Sequence, residues 1–137
     1  MYDCLFCKII KGEIPCSKLY ENENVLAFLD IAPVHKGHAL VVPKKHYVNV
    51  FDVDENNFSE VAKAVKKLSF AVKKATNADG LTITSNNGES AGQLVMHLHT
   101  HIIPRFKGDG LELWPQGKYE ENEMDEYRKK IEAFLNE

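Results

Sequence analysis

The stretch Val95-Met96-His97-Leu98-His99-Thr100-His101-Ile102-Ile103-Pro104 constrains this chain more than any other segment. Half of the six histidines fall within five residues, at every second position. A period of two among apolar and β-branched neighbours reads as a strand, whose alternate side chains leave on one face. His97, His99 and His101 are therefore expected to line one face, about 6.8 Å apart in sequence order. Leu98, Thr100 and Ile102 point the other way, and Pro104 is expected to end the strand. Packing has little use for three adjacent imidazoles, so chemistry is the better explanation.

The other segments show how such a strand can be buried. Leu5, Phe6, Ile9 and Ile10 have helical spacing, and Gly12 and Pro15 then stop the turn. Residues 17–21 and 24–30 read as two short strands joined at Asn22-Glu23, and 38–43 as a buried strand. From Asp54 to about Asn77 apolar residues recur at three and four, from Phe58 through Val61, Val65, Leu68 and Val72. Asp54 is placed to cap this long helix, Lys73 and Lys74 suit its C-terminal dipole, and Gly80 closes the segment. Residues 81–85 form another strand, and a closing helix over 123–135 is expected to bury Met124, Tyr127, Ile131, Phe134 and Leu135. Strands and helices mixed with hairpin-like connections give an α+β fold around an antiparallel sheet. With 137 residues and no linker or repeat, residues 1–137 read as one domain.

The composition sets limits on function. A formal net charge of -3 argues against broad electrostatic binding to nucleic acid or an anionic membrane. No apolar run approaches the roughly 18 residues of a membrane span, and Met-Tyr-Asp-Cys does not read as a signal peptide. The expectation is a cytoplasmic protein with reduced cysteines. Cys4 and Cys7 form a CxxC, which in that setting is a metal half-site or a redox pair. The βαβ context of a thioredoxin-like redox motif is missing, while two thiolates on one turn make half of a tetrahedral zinc site. Cys16 reads as a packed thiol, and the lysines of the long helix as a solvated face.

Three readings compete for the histidines: a solvated polar strand face, metal chelation, and covalent catalysis in which one imidazole attacks an electrophile. The preceding loop, Asn86-Asn87-Gly88-Glu89-Ser90-Ala91-Gly92-Gln93, favours the third. Its glycines permit positive φ, so backbone N–H groups can face an anion without a Cβ in the way. Near neutral pH an imidazole is largely uncharged and nucleophilic. His99 has a basic partner on each side and is the natural nucleophile. Its Nδ1–H requires an acceptor, such as a backbone carbonyl, if Nε2 is to be free.

With these residues identified, the chain resembles the histidine triad (HIT) family, whose signature alternates histidine with apolar residues as in His97-Leu98-His99-Thr100-His101-Ile102-Ile103. Thr100 is the one softer fit. CLFCKIIKGEIP, LAFLDIAP, KGHALVVPKKH, SNNGESAGQ and HTHIIPRFKGDG extend the likeness over nearly the whole chain. The resemblance implies a five-stranded antiparallel sheet with one long helix and a C-terminal helix, dimerising into a ten-stranded sheet. It implies a purine nucleotide substrate, a phosphoramidate or dinucleoside polyphosphate, cleaved at its α-phosphate through a nucleotidyl intermediate on His99. His101 would meet the phosphate and the leaving group, and His38 would support the site from a neighbouring strand. Asn86, Gly92, Gln93 and the N–H of Leu94 would line the phosphate site. Asp30 would hold the ribose, and Phe6, Ile9, Phe28, Ile31 and Leu40 would wall the base.

The same resemblance assigns Cys4, Cys7, His46 and His97 to a structural Zn²⁺ that the chemical step does not require. Many members carry Ser or Thr where Leu94 stands, which leaves the range of leaving groups open. So does the segment from Lys107 to Tyr119, whose Trp114 either packs at home or reaches the partner's pocket. Two rivals remain: a zinc-dependent hydrolase using metal-activated water, and a nucleotide-binding adaptor without turnover.

Overall fold

The structure, a computed structural model, describes residues 3–135. Five antiparallel strands form one sheet in the order β1 (Lys18–Glu21), β2 (Val25–Leu29), β3 (Ala39–Pro43), β5 (Thr100–Arg105), β4 (Gly80–Thr84). Three helices join it: α1 (Leu5–Ile10), α2 (Glu55–Thr76) and α3 (Glu123–Leu135). The continuous apolar runs of β2 and β3 match their place in the middle, covered on both faces.

Alternation along these strands sorts two cores. Val25, Ala27, Ala39, Val41 and Ile102 face α2, where they meet Val61, Ala64, Val65, Leu68 and Val72. Each buried Val or Leu contributes about 1.5–3 kcal/mol against exposure. Leu26, Phe28, Leu40 and Val42 face the opposite way, against Cys4 and Phe6 of the α1 region. A helix as short as α1 covers only part of that face, and the uncovered part becomes the site. His101 stands opposite Leu40 in the β3–β5 register and therefore looks out on the α1 face.

Asp54 caps α2, accepting from the Asn57 N–H at 3.3 Å. The Tyr47 hydroxyl donates to the same carboxylate at 2.7 Å, and these bonds hold Asp54 down at about 2. At the other end it is Asn77 that stops the helix, in the left-handed conformation (φ 56) that a short amide tolerates. Gly80 instead opens β4.

Three expectations need correction. The ladder of β5 begins only at Thr100, so His97 and His99 lie in the segment leading into it. Pro104 does not end the strand. It pairs with Leu81 of β4, while the β3 ladder on its other edge has stopped at Ala39↔Ile102, so no bond is lost. Finally, α3 forms over 123–135 but buries nothing against its own chain, and Met124, Tyr127, Ile131, Phe134 and Leu135 are all exposed. Its period is legible in the sequence, but nothing among the described residues covers the stripe. No helix among the described residues is long and apolar enough to cross a membrane.

Candidate active site and metal cluster

A cavity of about 380 Å³ opens between α1, the ends of β2 and β3, and the glycine loop. Phe6, Ile9, Phe28, Ile31 and Leu40 line its apolar side, with Leu5, Ile14, Pro15, Cys16 and Val95 beside them. Sequence reasoning missed the latter group. Ile14-Pro15-Cys16 carried the signal, since the turn that stops α1 has to pass the same uncovered sheet face. The polar side consists of Asp30, Asn86, His99 and His101, with Gly92 and Leu94 at the loop.

Backbone groups decide the protonation order of the histidines, because a carbonyl can only accept and an amide can only donate. The His99 Nδ1–H donates to the His97 carbonyl at 2.7 Å, so the neutral ring keeps an unprotonated Nε2. The Val34 amide donates to His38 Nδ1 at 3.1 Å, which places the His38 proton on Nε2. That proton is donated to His101 Nδ1 at 2.9 Å, and the His101 proton must then sit on Nε2. His99 thus offers a lone pair and His101, 5.0 Å away between centroids, an N–H. Burial lowers the pKa of all three, His101 to about 4, keeping the rings neutral near pH 7. The Phe6 ring packs edge-on against His99 at 5.1 Å and fixes its plane.

Asp30 accepts from the Ala32 N–H through Oδ1 at 2.9 Å. Its Oδ2 lies 3.6 Å from His38 Nε2 and completes the edge of the cavity. In the glycine loop Gly88 (φ 99) and Gly92 (φ 90) take the positive angles expected of them. A Cβ at Gly92 would meet the Asn86 amide at an ordinary 3.5 Å, so the positive φ, not crowding, is what calls for glycine there. The Gly92 and Gln93 amides are spent inside the loop, on the carbonyls of Glu89 and Gly88. Among the described residues the Leu94 N–H meets no acceptor and remains available for an anion.

Gln93 departs from expectation. Its side chain is buried and does not line the cavity. The carbonyl accepts from Gly88 N (2.9 Å) and Asn49 Nδ2 (3.2 Å), and the amide donates to the carbonyls of Val48 (2.6 Å) and Val95 (3.1 Å). All four of its hydrogen-bonding positions are used, so Gln93 braces the loop instead of touching a ligand.

His97 turns away from the cavity. Its Nε2–H donates to the Pro43 carbonyl at 2.9 Å, leaving Nδ1 to face Cys4 Sγ (3.4 Å), Cys7 Sγ (3.5 Å) and His46 Nδ1 (3.1 Å). Cys7 Sγ lies 3.3 Å from His46 Nδ1. A tetrahedral zinc with usual bond lengths separates such ligands by about 3.3–3.8 Å, close to this spacing. Burial, and the Cys4 thiol beside it, push Cys7 up to about 11, a condition that a cation among the four donors reverses. Cys4, Cys7, His46 and His97 can therefore hold a metal ion.

A second group, Asp30, His38 and His101, also brings its donor atoms together. There the Val34 amide forces the proton onto the very nitrogen that would have to bind, and the group is a hydrogen-bond chain instead.

The molecule is an α+β domain built on one sheet, with an imidazole-lined cavity on one face and a metal-type Cys₂His₂ cluster behind it. Residues 11–108 match the HIT domain, and the chain belongs to the HIT family. An uncharacterised HIT-like protein of Methanocaldococcus jannaschii is 50% identical over 95% of this chain and 99% of its own length. The adenosine 5'-monophosphoramidase hnt1 of Schizosaccharomyces pombe is 47% identical over 74% of this chain and 74% of its own. The crystal structure of a Zn-bound histidine triad family protein from Mycobacterium smegmatis superposes with a TM-score of 0.77 at 34% identity, over 96% of each chain.

Proposed function

We propose that this protein hydrolyses purine nucleoside phosphoramidates at the α-phosphorus through a nucleotidyl intermediate on His99. The observation that carries the reading is the fixed order of protons: an unprotonated Nε2 on His99 beside an Nε2–H on His101, both in the cavity wall. The His99 Nε2 lone pair forms a bond to phosphorus as the P–N bond of the N-protonated substrate breaks. The electron pair leaves with the nitrogen, and the amine departs neutral. His101 Nε2–H and the Leu94 N–H donate to the phosphoryl oxygens, where negative charge gathers. Water then attacks phosphorus, the bond to His99 breaks, and the nucleoside monophosphate is released with the proton passing to solvent. Asp30 receives the ribose hydroxyls, and the base lies among Phe6, Ile9, Phe28, Ile31 and Leu40.

Charge favours phosphoramidates over dinucleoside polyphosphates. No Lys or Arg is among the residues lining the cavity, so each further phosphate would add charge with no cation to meet it. The hydrolase named in fission yeast acts in the same sense.

Zinc is the metal we assign to the Cys4, Cys7, His46 and His97 cluster, because two thiolates and two imidazoles in a tetrahedron suit it best. Such a zinc pins the α1 region to the segment carrying His99. With four protein ligands it has no open position for water, and the cluster lies outside the cavity lining, so the metal-activated-water alternative is disfavoured.

A second copy of the chain is the proposed partner. An apolar groove between α2 and the edge strand β4, lined by Phe58, Val61, Val65 and Ile83, leaves a sheet edge open. The uncovered face of α3 adds to it.

The test is turnover of adenylyl and guanylyl phosphoramidates, with diadenosine tri- and tetraphosphate in parallel, by wild type and His99→Ala. The substitution should cost at least about 10³-fold, and acid-labile label should be trapped on His99. Equal rates in the two proteins would refute the catalytic assignment. Tight nucleotide binding without any turnover would establish the adaptor in its place.

A further inference from the structure

The donor on His101 depends on a group that lies outside the cavity. Its tautomer follows from His38, whose tautomer follows from the single amide of Val34. Val34 belongs to the 32–37 loop, a stretch of bends and turns with half-exposed or exposed residues. At one end the loop is tied by the Ala32 N–H to Asp30, and at the other by the turn from His38 N to the His35 carbonyl. Between these ties, among the described residues, the loop's side-chain hydrogen bond to the rest of the chain is that of His35.

The His35 Nε2–H donates to Asp109 Oδ2 at 3.3 Å, and its ring packs edge-on to Phe106 at 5.3 Å. Asp109 is a firm anchor. It also accepts from Arg105 Nε (2.7 Å) and Nη2 (3.0 Å) and from the amides of Phe106 (3.2 Å) and Leu111 (3.1 Å). The Arg105 guanidinium keeps the carboxyl ionised far below its ordinary range. A Cβ on Gly37 (φ +98) would collide with Thr76 Cγ2, so the loop backbone runs close to the end of α2.

We propose that His35 is a positioning residue: anchored on Asp109 and Phe106, it holds the Val34 amide against His38 and so keeps His101 presenting Nε2–H to the ligand. Without that amide, His38 is free to carry its proton on Nδ1. His38 Nε2 then accepts from a His101 protonated at Nδ1, and His101 turns a lone pair toward the anion. A donor to phosphate becomes a repulsive contact. The inference rests on reading the cavity as a nucleotide site, but its first consequence, the ring tautomers, can be measured without a nucleotide.

Three variants separate the links. His35→Ala removes the anchor, Val34→Pro removes the amide itself, and His35→Gln supplies another N–H donor to Asp109. In long-range ¹H–¹⁵N spectra of the metal-loaded protein, wild type and His35→Gln should show His38 and His101 protonated at Nε2. His35→Ala and Val34→Pro should show Nδ1 protonation appearing at both rings. By calorimetry these two should bind adenosine 5'-monophosphate about tenfold more weakly, the worth of one charge-assisted donor, while adenosine binds as in wild type within twofold.

Unchanged tautomers in both deletion variants would overturn the proposal, as would an equal loss of adenosine and nucleotide affinity, which marks a general loosening of the cavity. If neither ligand binds wild type, the nucleotide reading falls, and the spectra still decide whether His35 orders the rings.

Discussion

Replacing Gln93 by methionine is the most direct test of how the anion loop is held. The side chains are close in volume, so the change deletes hydrogen bonds and leaves packing nearly intact. Four partners lose their mate: the Gly88 amide, the Asn49 carboxamide and the carbonyls of Val48 and Val95. A buried group left unpaired costs about 1–3 kcal/mol. All four partner residues are half-buried, so water can reach some of them, and the low end of the range applies. The sum is about 2–4 kcal/mol, equivalent to a fall in Tm of about 10 °C for a domain of this size.

Urea unfolding of both proteins at the same metal loading should show a lower midpoint with an unchanged slope. Gln93→Glu should be worse at neutral pH, because it sets a carboxylate against two carbonyl oxygens. A loss below about 1 kcal/mol for Gln93→Met would refute the brace, since the loop would then stand without it.

Other expectations can be checked in parallel. Cys7→Ser should reduce bound zinc from one equivalent per chain to a small fraction, as read by metal analysis, and should lower Tm with it. Full metal content in the variant would remove Cys7 from the ligand set. The depressed His101 pKa of about 4 favours the neutral ring in the folded protein, so its contribution is present above the ordinary value near 6.5. It is lost as pH falls from there toward 4, because the unfolded chain binds the proton more readily. The fall in stability across that window should be shallower in His101→Asn, and an identical slope would contradict the assignment. Ile83→Lys, on the open edge of β4, should give a monomer by light scattering if the α2–β4 groove is the dimer face. A variant that stays dimeric would move the interface elsewhere.

Legibility followed the range of the forces involved. The span of α2, the runs of β2 and β3 and even the limits of α3 were readable, because periodicity and caps are local. The Cys₂His₂ set and the apolar wall of the cavity came from family likeness and not from spacing, since residues 4 and 97 have no local relation. Gln93 misled for a physical reason: next to two glycines, an amide looks like a ligand to an anion. Only the positions of Val48 and Asn49 reveal that its capacity is used up. Pro104 misled because a proline breaks a ladder only where a neighbouring strand still needs its N–H. The apolar stripe of α3 is plain in the sequence, but its expected burial is not found, because a sequence does not say whether such a stripe is covered by its own chain. His35 and Asp109 gave no sign at all, being a histidine and an acid in ordinary turn sequence.

The metal-type cluster also has a consequence for biosynthesis. Cys4 and His97 are ninety-three residues apart, and a ribosome delivers the thiols long before the last imidazole. Until residue 97 has left the exit tunnel, the donor set stays incomplete and α1 is held only by its apolar contacts with β2 and β3. Made before α2 and α3, α1 is thus among the last to be fully secured, and the cavity beneath it is complete only once residues 99 and 101 have followed.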